Sequence, residues 1–271
     1  MPDVVTLRHP LQVVPLQISV TQSLVGGGFA GLITGFVVGP CETWKVIIQE
    51  TRLRGESPWS IQPRATMIAI RQFVPVFALL FSVVCAIEFS ANKLVKDAFG
   101  LLPGTAASAC TGGAILATAD HIMLVKAKEK LGTFEAMRRC SRRPATGFCP
   151  MFMREGLFVL SVLDFGPAMG RLLRDRTTVT GFSDETYTAM GRWSVLIGLT
   201  VASQPFDCLA REMQNAYHET QKRPKLAECA RTLFLQRRAF VGVVPRVALA
   251  PVGGTMIGSL YDAACTFMAT K

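Results

Sequence analysis

Charge is scarce in this chain. Only 18% of its 271 residues are Asp, Glu, Lys or Arg, against about 25% in a typical soluble domain. An ordinary soluble enzyme is therefore disfavoured. Acids are the scarcer sign, 19 against 29 bases, which leaves a net charge of +10. Histidine is nearly missing, with only His9, His121 and His218. The eight cysteines form no CxxC pair, so no Cys/His metal centre is expected. The sequence has no G-x-S-x-G elbow, no Walker loop and no HExxH. Neither an enzymatic activity nor a cofactor is expected. The opening decapeptide MPDVVTLRHP lacks a charged n-region followed by an apolar core, so a secretory signal is not expected either. It is also too poor in Arg and Ser to read as a clear transit peptide. No aromatic residues interleave the pairs Arg138-Arg139, Arg142-Arg143 and Arg237-Arg238. Nucleic acid is thus not an expected partner, whereas anionic lipid or a protein surface is.

What the chain has is apolar length. Half of it is hydrophobic, and its mean hydropathy is +0.35. Intrinsic disorder is excluded by that content. Pro10–Cys41, Gln72–Ile87 and Ala98–Ala119 carry no charge at all. Shorter charge-free runs are Gly156–Leu163, Trp193–Phe206 and Val247–Tyr261. A membrane span needs about 20 apolar residues, and charges within one belong on a wet interior or at the helix ends. Six helices follow, near Gln22–Gln49, Ala69–Lys96, Gly104–Lys130, Phe148–Leu173, Thr186–Tyr217 and Phe240–Met268. Basic connectors join them in pairs, in keeping with the positive-inside rule. Two of these connectors suit short amphipathic surface helices, at Leu131–Cys140 and Arg223–Phe234.

The helices also repeat. The first ends with Pro40, Glu42, Lys45 and Gln49, and the fifth with Pro205, Asp207, Ala210 and Gln214, at the same spacing. The third carries a degenerate copy, Thr118, Asp120 and Met123. The acids Glu42, Asp120 and Asp207 are separated by 78 and 87 residues. Gly147-x-x-Pro150 precedes the fourth helix and Gly242-x-x-Pro245 the sixth. Small residues recur every four positions on the odd helices: Gly27, Gly31, Gly35 and Gly39; Gly104, Ser108 and Gly112; Ser194, Gly198 and Ala202. Such stripes let helix backbones approach closely.

These motifs resemble the mitochondrial carrier family, whose signature is Pro-x-[Asp/Glu]-x-x-[Lys/Arg] at kinked odd-helix ends and Gly-x-x-Pro at even-helix starts. The resemblance covers nearly the whole chain. It implies an all-α membrane protein of the mitochondrial inner membrane, one domain over 1–271. Six transmembrane helices would form three tandem two-helix repeats, about 10–100, 101–185 and 186–271, with pseudo-threefold symmetry and kinks at Pro40 and Pro205.

The resemblance also implies the sites. Glu42, Lys45, Asp120 and Asp207 would form a matrix-side network. With Met123 and Ala210 in the cation slots, Lys45 would pair with Asp207, while Glu42 and Asp120 would turn to water, Arg211, hydroxyls or backbone donors. At the opposite end Lys93 and Asp262 survive from the second ring and would make its only pair. Spacing from Pro150 places Arg154 in the central cavity, with Glu155 beside it; the corresponding positions fall near Phe77 and Leu249. One arginine is thin provision for a nucleotide or dicarboxylate, which charge-assisted forks would hold. Arg154–Glu155 also reads as a satisfied ion pair. Gly147 and Gly242, with free helix N-terminal N–H groups, match the points where the family binds cardiolipin; the alternative is a plain turn glycine.

Two functions remain. The missing ring charges incline the reading toward a structural, non-transporting subunit docked in a larger respiratory-type complex of the inner membrane. The alternative is an active carrier exchanging small metabolites.

Overall fold

The computed structural model describes residues 18–53, 55, 57, 63–129, 131–140, 146–176, 182–220 and 222–270. The opening decapeptide, Lys130 and the Arg142-Arg143 pair lie outside them. The described residues are helical and contain no strand. The long elements are α1 (Val20–Leu53), α2 (Pro63–Phe99) and α3 (Leu101–Glu129). A fourth rod runs from α5 (Phe148–Val159) through a π-helical turn (Leu160–Phe165) into α6 (Gly166–Arg176). α7 (Asp184–Thr220) and α9 (Val243–Ala269) complete the set. Two short helices, α4 (Thr133–Cys140) and α8 (Leu226–Leu235), occupy the connectors expected to be amphipathic.

Five rods are long and apolar enough to cross a membrane: α1, α2, α3, α5–α6 and α9. The chain is thus a multi-pass, all-helical membrane protein. Helix is the form that satisfies every backbone polar group inside lipid. Large apolar side chains such as Phe36, Leu79, Val83 and Leu94 point outward. The fifth helix expected from the sequence is present as α7 but does not meet the apolarity of a span. Its charge-free run, Trp193–Phe206, is shorter than the about 20 residues a crossing requires. The charges that interrupt it, Arg192, Asp207 and Arg211, are buried inside the bundle.

Each rod packs on the next: α1 on α2, α2 on α3, α3 on α5, α5 and α6 on α7, α7 on α9, and α9 back on α1. The ring is closed. Glycines set how tightly. A Cβ at Gly27 would lie 2.6 Å from the Cys85 carbonyl oxygen, one at Gly31 2.8 Å from that of Phe81, and one at Gly35 2.6 Å from Ala78 Cα. The α1 stripe therefore lies directly on the α2 backbone. On α3, Gly104 abuts Lys96, and Ser108 Oγ donates to the Glu88 carbonyl at 2.9 Å.

The stripe on α7 behaves otherwise. Ser194, Gly198 and Ala202 are exposed, and a Cβ at Gly198 would meet nothing within 4 Å. The reason is rotational phase. Arg192, Leu196, Thr200, Ser203, Asp207, Arg211 and Gln214 recur every three or four residues and are all buried. That face must point inward because a charge in lipid is costly. Ser194, two residues along at about 100° per residue, is thereby turned outward. The close approach on α7 falls instead at Gly191, whose added Cβ would collide with Gly170 and Gly166 of α6. Gly198→Leu should consequently shift stability by no more than about 0.5 kcal/mol; a loss of several degrees in thermal unfolding in detergent would contradict the outward orientation.

Both Gly-x-x-Pro motifs start helices. Gly147 and Gly242 adopt left-handed φ values of 89° and 81°, where a side chain would be strained. Pro150 and Pro245 sit in the first helical turn, where proline forfeits no intrahelical hydrogen bond. Pro40 and Pro205 lie inside α1 and α7, which continue as helix on both sides.

Candidate functional site

The prolines inside α1 and α7 are flanked by polar residues at helical spacing. Glu42, Lys45 and Gln49 share one face of α1. Gln204, Asp207 and Arg211 share the inner face of α7. Ring closure brings these faces together beside Arg154 and Glu155 of α5.

Asp207 is the hub and is fully buried. Its Oδ1 accepts from Arg154 Nη1 at 2.6 Å, and its Oδ2 accepts from Gln49 Nε2 at 3.0 Å. Lys45 Nζ lies 3.4 Å from the same Oδ2, the pairing that the sequence motif implies. Lys45 also reaches back one turn to Glu42 Oε2 at 2.5 Å. Arg154 holds Glu155 Oε1 at 2.5 Å. Glu42, Lys45, Asp207, Arg154 and Glu155 thus form one chain of alternating charge across α1, α7 and α5. A buried ion pair is tolerated only when further hydrogen bonds complete it, and Gln49 supplies one here.

Two expectations change at this end. Glu42 does not depend on hydroxyls or backbone donors; it meets Lys45 of its own helix, because positions i and i+3 are neighbours on a helix. Arg154 does not pair with Glu155 alone, since Asp207 takes a second face of its guanidinium. Asp120 has Arg211 Nη2 at 3.8 Å, the cation one residue past the vacated slot.

The two recurring glutamines explain themselves in the structure. Gln49 Nε2 donates to the Val241 carbonyl at 3.3 Å, just before Gly242. Gln214 Nε2 donates to the Thr146 carbonyl at 3.3 Å, just before Gly147. In each case the glutamine nine residues after the proline ties its own helix, α1 or α7, to the turn that starts another, α9 or α5. The glycines are packed inward on the same contacts: a Cβ at Gly147 would meet the Ala210 carbonyl at 3.1 Å, and one at Gly242 would meet Lys45 Cγ at 2.9 Å.

Above this network lies a cavity of about 120 Å³. Its charged lining is Glu42, Asp120, Glu155, Arg154 and Arg246. Phe77 and Leu249 line it together with Arg154, so the three positions matched by spacing border one space. Phe77 stacks between Phe73 and Phe81, with ring centroids 5.8 and 5.4 Å away, and gives that wall an aromatic surface. Arg246 Nη1 donates to Gln204 Oε1 at 3.3 Å.

The opposite end is wired differently from expectation. The Lys93–Asp262 pair is not made. Lys93 bonds Asp97 of its own helix, with Nζ 2.9 Å from Oδ1. Asp262 receives Arg192 Nη2 at 2.8 Å from α7. The ring order is the cause: α1 stands between α2 and α9, whereas α7 is the neighbour of α9. A second cross-link joins Lys96 of α2 to Asp164 in the π-helical turn. Phe89 and Tyr261 meet edge to face at 4.9 Å, and Tyr261 Oη is 2.9 Å from Ser23 Oγ.

Sequence reasoning missed Lys96, Asp164, Arg192 and Glu88. The usable signal was an ionisable residue within or bordering an apolar run. Asp164 ends the Gly156–Leu163 run, Arg192 precedes the Trp193–Phe206 run, and Glu88 follows Gln72–Ile87. Glu88 is fully buried on α2, against Gly112 of α3. Among the described residues no cluster of His, Cys, Asp and Glu is arranged to hold a metal ion. No family model matches the chain, and no curated protein matches it.

Proposed function

We propose that the chain is a divergent carrier-type protein of the mitochondrial inner membrane, built as three two-helix repeats, which moves a small solute through the centre of its helical ring. The observation that carries this reading is the Glu42–Lys45–Asp207–Arg154–Glu155 chain, with Lys45, Asp207 and Glu155 buried and Glu42 and Arg154 partly so, at one end of a charged central cavity. Ionisable groups inside a membrane bundle are costly, and those that persist mark solute pathways and gates. Missing ring cations favour a structural subunit, but Arg154, Arg211 and Arg192 supply charges that the degenerate motifs lack, so the network is rewired rather than lost. The matching Gln49 and Gln214 bonds support the repeat reading, because equivalent sequence positions do equivalent work.

The small cavity, walled by groups of both signs whose charges balance, favours a small zwitterion over a nucleotide or dicarboxylate. Arg154 is committed to two carboxylates and offers no open fork for a polyanion. That commitment is also what favours the second reading, a closed, non-transporting subunit of a respiratory-type complex. Cardiolipin at the Gly147 and Gly242 helix starts is compatible with both readings.

Purified chain in liposomes should take up labelled small amino acids saturably, and nucleotides, phosphate and dicarboxylates poorly. Arg154→Gln should lower that uptake at least about tenfold, the loss of some 1.4 kcal/mol in the rate-limiting state. Absence of saturable uptake, together with copurification in a large respiratory assembly, would establish the second reading instead.

A further inference from the structure

Among the described residues, Glu88 is the one fully buried acidic side chain that the ion-pair network leaves out. It is fully buried, and neither carboxyl oxygen has a hydrogen-bond partner among the described residues. Its slot is shaped for it: a Cβ at Gly112 would overlap the carboxyl group itself. The charged groups acting on it come from α5, Glu155 and Arg154, while Cys85 is the titratable neighbour on its own helix. α3 presents Ser108 and Gly112 there, and α1 lies on this part of α2 through Gly27 and Gly31.

Charge counting then assigns its state. The acids of the network are Glu42, Asp120, Glu155 and Asp207, and the cations are Lys45, Arg154, Arg211 and Arg246. Four negative and four positive charges balance without Glu88. A fifth carboxylate, fully buried and without a hydrogen bond, would stand uncompensated, which a low-dielectric interior does not tolerate.

We propose that Glu88 is a proton-binding site: it holds a proton in this conformation and exchanges it with cavity water when Arg154 turns from Glu155, coupling proton movement to solute movement. In binding, a proton from hydronium joins one Glu88 oxygen. In release the O–H bond breaks, the electron pair stays on the carboxylate, and the proton returns to water. Arg154 is the cation placed to compensate the charge left behind. The coupling rests on the transport reading above; the protonated state does not.

The two parts are tested separately on the full chain in liposomes. Infrared difference spectra at neutral pH should contain a protonated-carboxyl C=O band that shifts in D₂O and is lost in Glu88→Gln. A wild-type spectrum whose loss in that variant falls in the ionised-carboxylate region would overturn the proposal. Should the variant fail to fold, a hydrophobic carbodiimide answers in the wild-type chain. An adduct mapped to Glu88 supports the site, and its absence where other buried carboxyls react overturns it. For coupling, a one-unit inward pH gradient with the membrane potential collapsed should accumulate the solute about tenfold at one proton per solute. Glu88→Gln should retain equilibrating uptake without accumulation. Uptake indifferent to the gradient in the wild type overturns the coupling. No uptake at all removes coupling along with the transport reading, while the infrared band still decides the proton site.

Discussion

Asp207→Asn is expected to destabilise the protein by about 3–5 kcal/mol, the cost of breaking a buried ion pair and stranding its partners. The amide keeps the shape of the carboxylate and removes its charge. Arg154 and Lys45, bonded at 2.6 Å and placed at 3.4 Å, then face each other across the ring without the anion between them. Removing the Lys45 charge as well should recover part of the loss, because the two positions share one interaction and their effects are not additive. Thermal unfolding in detergent reads the difference. Asp184→Asn is the control: its carboxylate is 77% exposed and pairs with Arg174, and such surface pairs contribute about 0–1 kcal/mol. If Asp207→Asn unfolds with the control, the hub is not structural and the closed end of the cavity is held by something else.

Gly31→Leu should have an effect of similar size by a different route. Its Cβ alone would come within 2.8 Å of the Phe81 carbonyl oxygen, 2.9 Å of Cys85 Cβ and 3.0 Å of Ser82 Cα. Two of those atoms are backbone and cannot swing aside. Overpacking costs about 1–3 kcal/mol where side chains can adjust, and more is expected here, because α1 must move bodily off α2. Loss of a monodisperse folded peak in detergent, with a lowered unfolding temperature, is the measurable result. Wild-type stability in Gly31→Leu would mean that the α1–α2 contact is looser than the backbone separation indicates. The same substitution at Gly198 adds bulk to an open outer face, so the pair separates the effect of position from that of residue type.

These contrasts mark what could be read from the chain before its fold. Five of the long helices were legible because apolar length fixes a membrane element without reference to its neighbours; α7 is a helix but falls short of a span by that measure. Gly147-x-x-Pro150 and Gly242-x-x-Pro245 were legible for the same reason: a left-handed glycine followed by a first-turn proline is a local event. The Asp207 cluster was partly legible, since Pro40 and Pro205 carry their acids and glutamines at one spacing. Rotational phase was not. A small-residue stripe says that backbones can approach, but on α7 the buried charges of Arg192 and Asp207 outweigh it and turn Ser194, Gly198 and Ala202 outward. Neighbour order was not legible either. Lys93 and Asp262 are plausible partners as charges, but the ring places α1 between their helices and gives Asp262 to Arg192. Glu88 belongs to no repeated motif, so its one signal is its place at the border of the apolar run Gln72–Ile87.

The closed ring also has a history. α1 and α2 adjoin in sequence and find each other through glycines, a contact available as soon as both have left the ribosome. The polar end of α1 has no such early partner. Gln49 bonds Asp207 and the Val241 carbonyl, 158 and 192 residues downstream. Most of the chain must therefore be made before the inward charges of its first helix are matched, and long-range contacts of this kind form late. Until then Lys45 and Glu42 have only each other. An unfinished chain thus holds unsatisfied polar groups on its first helix, which are costly in a low-dielectric interior. Packing of α9 against α1 and α7 closes the ring, and the bonds from Gln49 to Asp207 and to the Val241 carbonyl are made in the same closure.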